Sequence, residues 1–264
     1  MEMKIKPNLF STLMYPTVSL EESVGLDQLL SVFESDDKFV PTLWGHNEMI
    51  RLNYNRNELI ERVSLKQPKF SEIYLHRDKT VRYSGHFDLT LTKRSFLSFT
   101  FDKSMHQKYW STYFMLSDQI AEIVKPRFGV THIFWPAQTP WKTEIERMQK
   151  WMNLCSYPVP VKFIPNGPLG LGMRTYLGGD VLEMFDREIL SDIPAVVTDL
   201  SWGGIRIDLA DNPWELDSEE LLNNWMKVMQ HLEKAHLFAI PSFDRDHMGV
   251  AFSPNSLWRN YLGR

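Results

Sequence analysis

The sequence predicts an α+β fold, with pseudo-duplicated β-β-α-β units forming an antiparallel or mixed sheet packed by helices. Three observations predict it. Val81–Trp135 and Ala195–Phe243 run in the same order of strand, turn, strand, helix and strand. Alternation of apolar and polar residues, the period of a half-buried strand, marks Val81–Leu91 and Ile205–Leu209. Polar pairs three apart that suit a capping box, Asp217 with Glu220 foremost, stand directly before apolar stripes of helical period.

Met1–Leu13 mixes Glu2, Lys4 and Lys6 with isolated apolar residues and lacks the apolar core of a signal peptide. Ser19 and Glu22 make a capping-box pair for a helix with Leu20, Val24, Leu29, Leu30 and Phe33 on one side. Phe39–Trp44 is a short extended piece, and Asn55 with Glu58 starts a brief helix through Val63. Strands follow around Ile73 and Leu75, then over Val81–Leu91, with Arg82, Ser84, His86, Asp88 and Thr90 on the polar face. The next strand places Leu97, Phe99 and Phe101 together, and strands this close in sequence are expected to pair antiparallel. Ser104 and Gln107 cap a helix carrying Tyr109, Trp110, Tyr113, Phe114 and Ile120, which Pro126 and Gly129 end before a Val130–Trp135 strand. Thr139-Pro140 opens a helix with Trp141, Ile145, Met148 and Met152 on one face.

Tyr157–Gly172 holds four prolines and three glycines, which makes it the expected linker or long surface loop. The chain then divides into an N-terminal α+β unit (1–156), the loop (157–172) and a C-terminal unit (173–264), one continuous domain being the alternative. A helix over Asp180–Leu190 precedes the Ala195–Leu200 strand, the Ser201-Trp202-Gly203-Gly204 turn and the Ile205–Leu209 strand. Asp217 opens a helix striped with Leu221, Leu222, Trp225, Val228, Met229 and Leu232, and Leu237–Ile240 returns as a buried strand stopped by Pro241.

A chain of 264 residues with 43% apolar and 23% charged residues can bury a full core. The net charge of −4 argues against general nucleic-acid binding. The lone Cys155 cannot close an internal disulfide, no run is long enough to span a bilayer, and a cytoplasmic setting is expected.

No catalytic constellation, cofactor site or metal site is expected. His86 and Asp88 share a strand face and could orient a general base, or be part of a solvated sheet face. No glycine-flanked serine of a nucleophile elbow accompanies them. His231, His236 and His247 with Asp244 and Asp246 are the nearest approach to a metal cluster, but the five-residue step from His231 to His236 misses a shared helical face. Gly167, Gly170 and Gly172 match no phosphate-binding fingerprint.

Charge is uneven. From Asp180 to Glu220, twelve acids face only Arg187 and Arg206, either as solvated helix ends or as a surface that steers a basic partner. Trp202 sits in a turn and Trp214 just before a capped helix, where tips are usually exposed and aromatics anchor partners. The expected docking surface is therefore Trp202, Asp208, Asp211, Trp214, Glu215, Asp217 and Glu219.

Pro41-Thr42-Leu43-Trp44-Gly45, then Tyr54-Asn55-Arg56 and the Glu58–Val63 helix, resemble the N-terminal pattern of immunity proteins of bacterial polymorphic toxin systems. Arg174-Thr175-Tyr176-Leu177, Phe185, Pro194, Gly203-Gly204-Ile205 and Asn212-Pro213 are similar to the same group, with the immunity protein 52 family the nearest by name. The resemblance implies a non-enzymatic α+β protein that binds and neutralises one cognate protein toxin encoded beside it. It assigns no individual contact residues. A hydrolase using the His86/Asp88 face and a structural or phage-type assembly protein are the alternatives.

Overall fold

A computed structural model describes residues 6–65, 69–136, 143, 167–244 and 249–262. The proposed helix after Thr139, Cys155 and the 157–166 part of the proline-rich stretch lie outside the described residues, as do Asp246 and His247.

In chain order the elements are β1 (Leu9–Tyr15), α1 (Ser23–Glu34), β2 (Leu43–Gly45), β3 (Leu52–Asn53), α2 (Arg56–Ser64), β4 (Glu72–Arg77), β5 (Tyr83–Asp88) and β6 (Leu97–Asp102). Then come α3 (Trp110–Val124), β7 (Phe128–Phe134), β8 (Arg174–Leu177), α4 (Gly179–Leu182), α5 (Arg187–Ser191), β9 (Val196–Asp199) and β10 (Ile205–Asp208). The chain continues through α6 (Ser218–Leu232), β11 (Ile240–Asp244), β12 (Gly249–Ser253) and α7 (Ser256–Leu262). One ten-stranded sheet runs β3-β2-β4-β5-β6-β1-β7-β8-β10-β9, with antiparallel neighbours throughout. The α+β class holds, and β7 pairs directly with β8, so a single sheet continues across the proline-rich stretch.

The centre of this sheet is β1, which sequence patterning does not mark. Phe10 to Tyr15 are buried on both faces, so the strand shows no alternation. Phe10 lies between Phe101 of β6 and Ile133 of β7, and its ring meets Trp110 and Tyr113 of α3 at 5.5 and 5.8 Å. On the same face Phe33 of α1 packs on Phe99 at 4.6 Å. Helices α1 and α3 thus cover the aromatic face of the N-terminal strands, and burial of several large rings supplies most of the packing energy there.

Two helix starts form as their sequence signals predict, because each cap bonds within its own first turn. Asn55 accepts from the Glu58 N–H at the start of α2, and Asp217 and Glu220 form a reciprocal capping box on α6. Other boundaries move. Helix α1 starts at Ser23 without a side-chain cap, because Ser19 instead donates to the Leu89 carbonyl and accepts from Glu21 N–H. Ser104 does not cap α3; Asp102 accepts the Ser104 N–H, and a short turn capped by His106 leads into Trp110. That helix ends at Lys125 in the left-handed conformation, and Gly129 lies inside β7. Leu91, expected to face inward, is 37% exposed beyond the end of β5.

The expected Asp180–Leu190 helix is two short ones, α4 and α5, since Asp186 caps the second by accepting from Glu188 N–H. The 167–172 end of the expected surface loop is buried, with Leu171 fully enclosed and Trp225 Nε1 donating to its carbonyl. Leu237, Phe238 and Ala239 are buried as expected, but the strand begins at Ile240 and includes Pro241. Among the described residues it pairs only with β12, in a separate hairpin, the setting in which a strand tolerates proline. The order of the two repeats therefore matches in sequence and diverges in space. The first repeat ends in β7, inside the main sheet and separated from β6 by β1, whereas the second ends outside that sheet.

Candidate functional site

The acidic end of the sheet is organised by a buried ion-pair network. Arg174 of β8, 3% exposed, faces Asp208 of β10 across the ladder and donates to both its carboxylate oxygens, from Nε at 2.6 Å and Nη2 at 3.2 Å. Its Nη1 donates to Asp118 of α3 at 2.8 Å and to the Phe114 carbonyl at 3.2 Å. Arg206 lies two residue pairs along on the same face, opposite Tyr176, with Nη1 3.2 Å from Asp118 and Nε 2.9 Å from Asp208. Two guanidiniums and two carboxylates balance, which is the condition for burying such groups without an uncompensated charge. Burial pushes the Asp208 carboxyl up, opposed by its bonds and charge contacts with Arg174 and Arg206.

Hydroxyl groups carry this network into the core. Tyr176 donates to Asp118 at 2.6 Å, and Ser117 joins Tyr176 to Thr131 at 2.6 and 2.5 Å. Thr12, 3.3 Å from Thr131, donates to Tyr113. Burial raises the Tyr176 hydroxyl well above its ordinary value, and the Asp118 charge adds to this, so it acts as a donor.

Trp214 closes the network from outside, 5.6 Å from Phe114 and 5.9 Å from the Arg174 guanidinium. It is half-buried and packed on the core rather than projecting as an exposed anchor. Trp202 corrects the same expectation. The turn forms as read, with Gly203 at φ +87°, but the indole folds back against Gly178 and Gly204. A Cβ at either glycine would sit 2.3 or 2.1 Å from that ring, so both positions need the missing side chain. The turn is also tied to α3, because Ser201 donates to Glu122.

Asp208, expected on the surface, is 1% exposed and committed to the two arginines. Asp217 is exposed and serves as the cap of α6, accepting from Glu219 and Glu220 N–H groups at 2.9 Å each. Asp211, Glu215 and Glu219 are exposed, with Glu183, Asp186, Glu188, Asp192 and Asp199 exposed on the preceding elements. The seven residues expected to form one docking surface thus separate into an exposed acidic set and a buried or half-buried brace beneath it.

The His86/Asp88 pair lies on the other face of the sheet, on β5. Register brings Glu72 opposite Asp88 and Tyr74 opposite His86. His86 Nε2 is 2.9 Å from Glu72 Oε2 and 3.8 Å from Asp88 Oδ1. Burial and the Glu72 charge hold the Asp88 carboxyl above its usual range, against the Phe96 N–H bond and His86. Beside it lies an open depression of about 610 Å³ lined by Arg51, His76, Arg77, Arg82, Ser84 and Asp102 among others. Neither His86 nor Asp88 lines it. His76 Nδ1 stands 3.1 Å from Ser84 Oγ, and burial, with the Arg51 charge, lowers its imidazole to about 4. His231, weighed above as a ligand, instead donates to the Ile189 carbonyl at 2.7 Å. Glu72, Tyr74, Asp118 and Arg174 were missed as site residues, since their partners are set by register and long-range packing.

No protein-family model matches the chain, and no curated protein matches it. Among solved structures the chain is similar to the Pseudomonas aeruginosa T6SS protein PA0821, at 13% identity and a TM-score of 0.56. The likeness covers 99% of this chain and 83% of that one and shows a shared fold. Among the described residues no helix is long and apolar enough to cross a membrane.

Proposed function

We propose that this protein is a toxin-neutralising immunity protein that binds and blocks a cognate bacterial toxin or effector, acting in the cytoplasm without chemistry of its own. The observation that supports it most is the fold likeness to a T6SS protein along nearly the whole chain. It agrees with the immunity-protein resemblance of the motifs at 41–45 and 174–177. The exposed acids at Asp211, Glu215 and Glu219 offer a negative surface to a basic partner. A preformed charged surface raises association rate and selects against neutral or acidic partners.

The test is co-expression with the product of the adjacent gene, scored for growth. Rescue by this protein is expected, and its loss is expected when Asp211 and Glu215 are both changed to Lys in a chain with unchanged circular dichroism. Affinity for the purified partner is expected to fall steeply with added salt. Failure to rescue growth overturns the reading; rescue by the reversed variant, or affinity flat in salt, overturns the acidic site.

A further inference from the structure

We propose that Glu72, His86 and Asp88 form a binding site for one divalent first-row transition-metal ion, Zn²⁺ or Mn²⁺. Each presents one ligand atom, and the three atoms lie within 4.8 Å of one another. Two ligand atoms on adjacent positions of a metal with legs of about 2.1 Å stand roughly 3.0–3.4 Å apart. His86 Nε2 and Glu72 Oε2 are already 2.9 Å apart, Asp88 Oδ1 is 3.8 Å from the same nitrogen, and a bound ion would draw the three atoms in from a spread of at most 4.8 Å.

The surroundings hold these atoms in place. The His86 ring is stacked on Tyr74 at 4.6 Å and meets the Phe96 edge at 5.0 Å, so Nε2 is aimed at the carboxylates. Tyr74 donates its hydroxyl to Glu72 Oε2 at 3.1 Å, and Asp88 Oδ2 accepts the Phe96 N–H at 2.9 Å, leaving Oδ1 on the His86 side. Such outer contacts orient ligands and set their basicity. All three ligands stand on paired strands β4 and β5, in the register that sets Glu72 opposite Asp88, rather than on mobile loops. One imidazole, even when protonated, balances only one of two carboxylates, whereas a divalent cation balances both. Two carboxylate oxygens and one imidazole nitrogen suit the harder Mn²⁺ and the borderline Zn²⁺. The ligand side chains remain 22–34% exposed, so three protein ligands leave further positions to water, as in open rather than closed metal sites.

This site does not depend on the toxin-binding reading. The test is calorimetric titration of the chelator-treated full chain with ZnCl₂ and with MnCl₂, with Mn²⁺ binding followed also by loss of the free-ion paramagnetic resonance signal. One ion per chain is expected, with a rise in melting temperature. Glu72→Gln and Asp88→Asn are each expected to weaken affinity about tenfold or more, and Tyr74→Phe by several-fold to tenfold through the lost outer contact. Glu61→Gln, on the exposed side of α2, is expected to bind the ion as the original does. Circular dichroism checks that each variant is folded, and Tyr74→Phe keeps the proposal testable if the ligand variants fail to fold. No saturable binding of either ion at millimolar concentration overturns the proposal. So does binding that survives all three substitutions at full strength, since the ion then sits elsewhere.

Discussion

Along residues 82–88, Arg82, Ser84, His86 and Asp88 alternate with inward residues and stay in partial contact with solvent. Along β8 and β10, Arg174, Tyr176, Arg206 and Asp208 share one face in the same two-residue period, yet Arg174, Tyr176 and Asp208 are enclosed. The difference comes from outside the strands: α3 brings Asp118 and Ser117 over the second strip, and among the described residues no element supplies an arginine pair to Asp88 in the way Arg174 and Arg206 serve Asp208. Strand period reports which side chains share a face. It does not report whether that face is covered.

The contrast is broken most severely at Arg174. Arg174→Met is expected to destabilise the fold by about 3–5 kcal/mol, because Asp208 is left as a buried charge with only Arg206 beside it. Urea denaturation reads it, and adding Asp208→Leu is expected to recover much of the loss. A loss under 1 kcal/mol would mean that the strip is wet, like the one at 82–88.

His76, beside the open strip, gives an intermediate effect. Its folded imidazole titrates at about 4 against an ordinary 6.5, from burial and the Arg51 charge. Between those values the unfolded chain takes up a proton that the folded chain refuses, so stability falls as pH drops through that window. His76→Gln is expected to remove about 1–2 kcal/mol of that acid-side loss, a figure reduced for solvent screening of a half-buried ring. Melting curves from pH 7 to 4 check it, and parallel curves for both proteins would refute it. Smallest is Arg82→Met on the exposed strip, where the 3.1 Å pair with Asp102 is 55% and 39% exposed. Its loss is expected to stay within about 1 kcal/mol by the same urea assay.

Much of the fold was legible because its signals are local. Asn55 and Asp217 cap their own helices, and the Tyr83–Leu89 alternation survives in the burial of successive residues. What escaped notice depends on distant partners. Strand β1 is buried on both sides and so carries no period. Asp208 reads as one acid among many until Arg174 is placed opposite it by strand pairing. Trp202 reads as an exposed tip until Gly178, across the sheet end, provides the flat seat for its ring. In the candidate metal site His86 and Asp88 were visible as a pair, whereas Glu72 joined them only through the β4–β5 register.

The placement of β1 has a consequence for biosynthesis. This strand leaves the ribosome before everything else in the sheet, yet both of its neighbours, β6 and β7, are translated long afterwards. Until they emerge, an apolar ribbon must wait with its edges open, and closing the sheet requires loops of low probability. The nascent sheet is therefore most vulnerable to misassociation at β1, and cannot close around that strand until α3 has been synthesised and β7 can dock.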